Sequence, residues 1–148
     1  MIEPEIPQNT GNIGRTCVGS YSKLHLVGPL GFEISDKQLR RAGLDYWEDL
    51  EWQLYPDRQT WWQEVKDPNR VFYFTTKSQK AYYDVQFQQG DWLVFGKETK
   101  GLDEAWLKEN WERALTIPFP GKIRSFNLSN AVAMVLGEGL RQVAASSE

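Results

Sequence analysis

The stretch DWLVFGKETKGLDEAWLKENWERALTIP, residues 91–118, decides the fold class. It opens on an aromatic and β-branched run that Gly96 closes, so DWLVFG reads as a strand. LDEAWLKENW, residues 102–111, reads as a helix, and RALTIP, residues 113–118, as a second strand closed by Pro118. Two strands joined through a helix run parallel, because a parallel pair needs a long crossover where an antiparallel pair needs only a tight turn. The same alternation continues outward. RVFYFTT (70–76) precedes as a strand, and LSNAVAMVLGEGLRQVA (128–144) follows as the longest helix. Leu128, Val132, Val135, Leu136, Leu140 and Val143 form one apolar stripe along that helix. Upstream, KLHLVGP (23–29) reads as a buried strand. SDKQLRRAG (35–43) reads as a short helix with Ser35 or Asp36 as N-cap and Gly43 just past its end. LEWQLYP (50–56) reads as a strand alternating Leu50, Trp52 and Leu54. DRQTWWQEVKDP (57–68) reads as a helix capped by Asp57 and stopping before Pro68. The expected class is α/β, a mainly parallel sheet flanked by helices, in a single domain over residues 1–148.

Composition narrows the function classes. Hydrophobic residues make up 41% of the 148 positions and charged residues 25%, the balance of a globular domain. The longest apolar run, AVAMVL at 131–136, is too short to span a membrane, and the acidic N-terminal residues Glu3 and Glu5 do not resemble a secretory leader. A single Cys, Cys17, excludes an internal disulfide and fits the cytoplasm. A single His, His25, within an apolar run, reads as a core histidine rather than a catalytic base. One His and one Cys also leave little with which to build a metal site, so none is expected. The net charge of −3 argues mildly against nucleic acid, although basic residues gather at Lys37, Arg40 and Arg41, at Lys97 and Lys100, and at Lys122 and Arg124. On charge alone these are a solvated helix face and two polar loops.

In a parallel sheet, ligands bind in the loops beyond the carboxyl ends of the strands. Three loops stand there: Thr75–Lys80, Gly96–Gly101 and Pro118–Ser125. Gly96 and Gly101 let backbone approach a ligand, and Glu98 between them suits accepting backbone N–H bonds. Ser125, Asn127, Ser129 and Asn130 supply more polar groups than one helix cap uses, which fits either a polar ligand or another chain's backbone. Trp61 and Trp62 are adjacent and cannot both face one core; packing with one ring partly exposed is the ordinary reading, base stacking the rarer one.

Three stretches, NTGNIGR (9–15), LVFGKETKGL (93–102) and IPFPGKIRSFNLSNA (117–131), together resemble the three motifs of the SpoU branch of the SPOUT superfamily of RNA methyltransferases. GPLGFEISDKQLRRAGLDYWE (28–48) narrows the resemblance to the small single-domain tRNA (cytidine/uridine-2′-O-)-methyltransferases of the wobble position, the TrmL-like group. The resemblance covers nearly the whole chain. It implies a C-terminal deep trefoil knot, S-adenosylmethionine as cofactor, and a homodimer that binds the anticodon stem-loop of tRNA across both subunits. Carried over by position, the cofactor contacts are Phe74, Thr76, Gly96, Glu98, Ile117, Ser125 and Leu128. Asn9, Thr10 and Asn12 would shape a turn and cap the first helix. Arg15 would then reach towards the methyl donor of the partner subunit as the catalytic residue, where residues alone suggest only a surface Arg. Asn9, Asn12, Arg40, Arg41, Lys122 and Arg124 are the candidate RNA contacts. The resemblance also implies a buried strand ahead of the first motif. Only Met1 and Ile2 stand in that place, so an upstream start is expected, with a stub strand at residues 1–6 as the alternative. Three functions fit: methylation of the wobble ribose, the same chemistry on another tRNA site or ribosomal RNA, and RNA binding by a knotted dimer without catalysis.

Overall fold

The computed structural model describes residues 1–35, 37, 41 and 46–147. They fall into two compact units, Met1–Lys66 with Lys97–Thr99, and Asp67–Gly96 with Lys100–Glu148. Most of the helix expected over 35–43, including Arg40, Asp36 and Gly43, lies outside the described residues.

The first unit contains α1 (Pro7–Gly19), β1 (Leu24–Val27), β2 (Trp52–Tyr55) and α2 (Arg58–Trp62). β1 and β2 pair in parallel, Leu24 opposite Trp52 and Val27 opposite Tyr55. Ile2 adds a single parallel bridge to Val27, and Met1 and Ile2 are both buried. Ile13, Cys17, Leu24, Leu26, Val27, Leu50, Tyr55 and Trp61 are buried with them in the unit's apolar core. Gly14 sits where α1 meets the 3₁₀ turn Trp47–Asp49. A Cβ there would stand 3.1 Å from both Leu50 Cδ2 and Trp47 Cζ3.

The Asn-Thr-Gly-Asn stretch is no turn: α1 begins at Pro7, with Ile6 as an N-cap that offers no side-chain bond. Pro7 starts the helix because its fixed φ suits the first helical position and its missing N–H is an orphan there anyway. Asn9, Thr10 and Asn12 therefore lie inside the helix and do not cap it. The helix expected over 57–68 stops at Trp62. Asp57 caps it as expected, its carboxylate accepting the Thr60 N–H at 2.7 Å. Glu64 and Val65 then donate to Trp61 and Trp62, three residues back, so the chain tightens and unwinds well before Pro68. Trp61 is buried and Trp62 half-buried, their rings edge to face at 5.6 Å. In β2 the Leu50–Trp52–Leu54 alternation fails, for Leu54 is 46% exposed while Tyr55 is buried. Leu50 precedes the strand as the cap of the 3₁₀ turn, so its burial says nothing of the strand's parity.

The second unit contains β3 (Val71–Phe74), β4 (Trp92–Phe95), α3 (Glu104–Glu109), β5 (Ala114–Leu115) and α4 (Leu128–Ser146). The three strands form a parallel sheet in the order β4-β3-β5. All four residues of β3 are buried, as a central strand covered on both faces requires. Phe74 stacks on Phe95 at 4.5 Å, and Tyr73 meets Trp106 of α3 edge to face at 5.1 Å. β5 is shorter than the RALTIP run suggested; an Ala81–Thr116 bridge continues the pairing in its place. On α4, Val132 and Val135 are buried, but Leu140 is 48% exposed and so leaves the expected stripe. Ala133, Gly137, Leu140 and Ala144 share an exposed, small and apolar face at helical spacing.

Candidate functional site

In the second unit the parallel register places three chain exits at one edge of the sheet. Phe74 lies opposite Phe95 and Leu115, so Thr75, Gly96 and Thr116 leave side by side at the carboxyl ends of β3, β4 and β5. The first exit is tied down: Thr75 N–H donates to Leu115 O at 2.9 Å, and buried Ser78 Oγ donates to Ala114 O at 2.7 Å. Phe74 is buried and Thr76 exposed. At the second exit Gly96 is buried against the backbone of Gly101 and Leu102. A Cβ on Gly96 would fall 2.6 Å from the Gly101 carbonyl oxygen and closer still to its carbonyl carbon. Gly101 itself has φ +68°, a backbone that side chains disfavour. The third exit runs over Pro118 and Pro120, with Phe119 edge to face on Phe126 at 5.0 Å. Ile117 and Leu128 are half-buried; Ser125, Lys122 and Arg124 are exposed. Asn127 caps α4, its Oδ1 accepting Ser129 N–H at 3.0 Å, Ser129 Oγ–H at 2.6 Å and Asn130 N–H at 3.4 Å. The polar surplus at this helix start thus divides into a cap, Asn127 with Ser129, and the exposed pair Ser125 and Asn130.

In the first unit, Asn12 and Arg15 are three residues apart on α1 and both are exposed, one surface of one helix. The Arg15 guanidinium lies over the Tyr46 ring, 4.8 Å from its centroid, a contact that fixes a long side chain without consuming its donors. Asn9 is buried, and its Nδ2 donates to Glu98 Oε2 at 3.3 Å. Glu98 does accept backbone N–H bonds, but from outside its own loop: Glu5 N at 2.9 Å on Oε1 and Ile6 N at 2.5 Å on Oε2. Sequence reasoning gave Glu98 an acceptor role and missed the donors, which stand more than ninety positions away. Lys37 and Arg41 are exposed, and Arg40 lies outside the described residues.

His25 takes no part in either group of loops. Its Nδ1 lies 2.9 Å from Tyr55 Oη and its ring stacks on Tyr55 at 5.7 Å. Burial, then the charges of Lys23 and the N-terminal amine, push its pKa down to about 4. Burial raises the Cys17 thiol to about 11, which leaves it unreactive. Among the described residues no three His, Cys, Asp or Glu side chains gather as metal ligands. Among them, too, no helix is long and apolar enough to cross a membrane.

The model of the SpoU rRNA methylase family matches residues 1–137. The chain belongs to the SpoU methylase family. Among SpoU-related proteins, a tRNA (cytidine(34)-2′-O)-methyltransferase from Burkholderia pseudomallei is 44% identical over 145 residues, 96% of this chain and 92% of that protein. A structure solved for the 2-OH methylation of C/U34 on tRNA is 40% identical, with a TM-score of 0.91 over 97% of this chain and 93% of its own. The SpoU methyltransferase AviRb from Streptomyces viridochromogenes, solved with the cofactor AdoMet, shares the fold at a TM-score of 0.83. It is 24% identical, and the match covers 95% of this chain and 55% of that one.

Proposed function

We propose that this protein is an S-adenosylmethionine-dependent tRNA 2′-O-methyltransferase acting on the ribose of the wobble nucleotide 34, cytidine or uridine, in the anticodon stem-loop. The observation that carries the reading is the likeness, over nine-tenths of both chains, to a tRNA (cytidine(34)-2′-O)-methyltransferase. The reading takes residues 1–148 as one catalytic domain with its C-terminal part threaded as a trefoil knot, active as a homodimer in the cytoplasm.

The residues at the sheet edge suit an adenosine-bearing cofactor. Half-buried Ile117 and Leu128 offer apolar walls, Thr76 and Ser125 offer exposed hydroxyls, and Gly96 brings backbone without a side chain. Phe74 backs the first loop, and Glu98 would contribute through its backbone, since its carboxylate is engaged by residues 5–9. When bound, S-adenosylmethionine supplies a sulfonium-activated methyl to the ribose 2′-oxygen, leaving S-adenosylhomocysteine and a proton released to solvent. Arg15 holds phosphate or ribose and stabilises negative charge growing on the 2′-oxygen. A guanidinium stays protonated and does not serve as the base. Exposed Asn12 and Arg41 in the first unit, and exposed Lys122 and Arg124 in the second, each offer polar or basic groups for the RNA backbone, with Arg40 beside Arg41 in sequence, while buried Asn9 acts through Glu98. The small apolar face of α4 is the surface offered to a second copy.

Incubation with tRNA from a strain lacking the gene, followed by mass mapping of nucleosides, tests the reading. The expected product is one methyl group on the ribose of nucleotide 34. Modification elsewhere moves the activity to another RNA site, and cofactor-independent RNA binding without methylation makes the protein a binding module.

A further inference from the structure

Glu5 and Glu98 are 93 positions apart, and each secures the other's segment. The Glu98 carboxylate accepts the Glu5 and Ile6 N–H groups and the Asn9 amide. In return the Glu5 carboxylate accepts the Thr99 N–H at 3.1 Å and the Thr99 Oγ1–H at 2.7 Å. Beside them in sequence, Lys97 Nζ and Glu3 Oε2 form an ion pair at 3.5 Å. Reciprocal bonds of this kind ordinarily close one helix start; here they join two distant segments of the first unit. The return limb is not needed to satisfy α1, because it satisfies loop 97–99 instead. Residues 2–6 are also held from the other side. Ile2 bridges Val27, Gly31 N–H donates to Pro4 O at 2.9 Å, and a Cβ on Gly31 would stand 2.9 Å from Glu5 Cα. A segment pinned on both flanks transmits displacement rather than absorbing it. It leads directly into α1, which carries Arg15.

We infer that Glu5 is a positioning residue: with Thr99 it locks loop 97–99 to the start of α1, so that this loop and Arg15 keep one relative placement during methyl transfer. The inference rests on the methyltransferase reading for its catalytic consequence and on the bond geometry for the lock itself.

The two are separated by measuring amide exchange and turnover on the same variants. Thr99→Val keeps the shape and removes the hydroxyl. It should raise exchange at the Glu5 and Ile6 amides, which bond Glu98 and not Thr99, by roughly threefold or more through local opening. Turnover at saturating cofactor and tRNA should fall about 10-fold, the cost of a misplaced group, with cofactor KM little changed. Thr99→Ser should recover most of that loss. Glu5→Gln with Thr99→Val should be no worse than the more damaging single change, as expected of partners in one contact. Unchanged exchange at Glu5 and Ile6, or additive losses, overturns the lock. Turnover unchanged while exchange rises overturns its catalytic role. A wild-type protein without methyl transfer sinks the methyltransferase reading, and the exchange data still decide the lock.

Discussion

Gly96→Ala isolates the close approach at the end of β4. The added methyl would lie 2.6 Å from the Gly101 carbonyl oxygen, against backbone rather than a side chain that could swing aside. Gly101 cannot easily retreat, because its φ of +68° is already confined and buried Leu102 follows it. Overpacking of this kind costs about 1–3 kcal/mol, and a chain of this size loses about 2–4 °C of Tm per kcal/mol. The fall in Tm is therefore expected at about 2–12 °C. Gly19→Ala is the matched control. A Cβ there meets nothing within 4 Å, and alanine favours the helix end, so its Tm should hold or rise slightly. Thermal unfolding followed by tryptophan fluorescence reads both variants, and calorimetry with S-adenosylhomocysteine reads the loop. Gly96→Ala should also bind the ligand more weakly. A Gly96→Ala protein as stable as wild type, with unaltered ligand affinity, refutes the packing argument.

Arg15→Ala should lower methyl transfer roughly 10²–10³-fold, the effect of removing one charge-stabilising donor, with cofactor affinity nearly unchanged by calorimetry; matching losses in both would reassign Arg15 to the cofactor. The single histidine should titrate by NMR near pH 4 rather than near its ordinary 6.5. Since the unfolded chain binds that proton first, His25 contributes stability that is full above about pH 6.5 and is lost as pH falls towards 4; His25→Gln should flatten that part of the stability profile. A dimer is expected at micromolar concentration, and Gly137→Leu on the exposed face of α4 should shift light-scattering mass towards the monomer; a monomeric wild type with full activity would dismiss that face as an interface.

What could be read in the sequence, and what could not, follows from where the determining contacts lie. β3 and β4 were legible almost to the residue, since their apolar runs are bounded by Pro68 and Asn69, by Gly90 and Asp91, and by Gly96. The three loops at the sheet edge followed from strand direction alone. The first helix was expected, but its start at Pro7 was hidden because Asn, Thr and Gly favour turns locally, while the carboxylate that satisfies the segment ahead of the helix belongs to Glu98. Leu54 misled because an apolar residue at alternate spacing does not reveal whether a neighbour covers it. Of the candidate site, the motif residues are carried over by position from the resemblance and are not read from local pattern. The engagement of Glu98 with residues 5–9, the return bond from Thr99 to Glu5 and the Tyr46 ring under Arg15 depend on long-range placement that no local pattern encodes.

Every strand pairing among the described residues is parallel, and that has a kinetic consequence. Val71 pairs with Trp92, 21 positions on; Leu24 with Trp52, 28 on; Tyr73 with Ala114, 41 on. No ladder here can begin from a hairpin. Each must wait until a long intervening segment has closed, so loop entropy is lost before any cross-strand bond forms. Folding should accordingly run in the millisecond-to-second range typical of high contact order rather than in microseconds. During that interval the aromatic β3 segment VFYF has neither of its neighbours, and a newly made chain is then most exposed to aggregation.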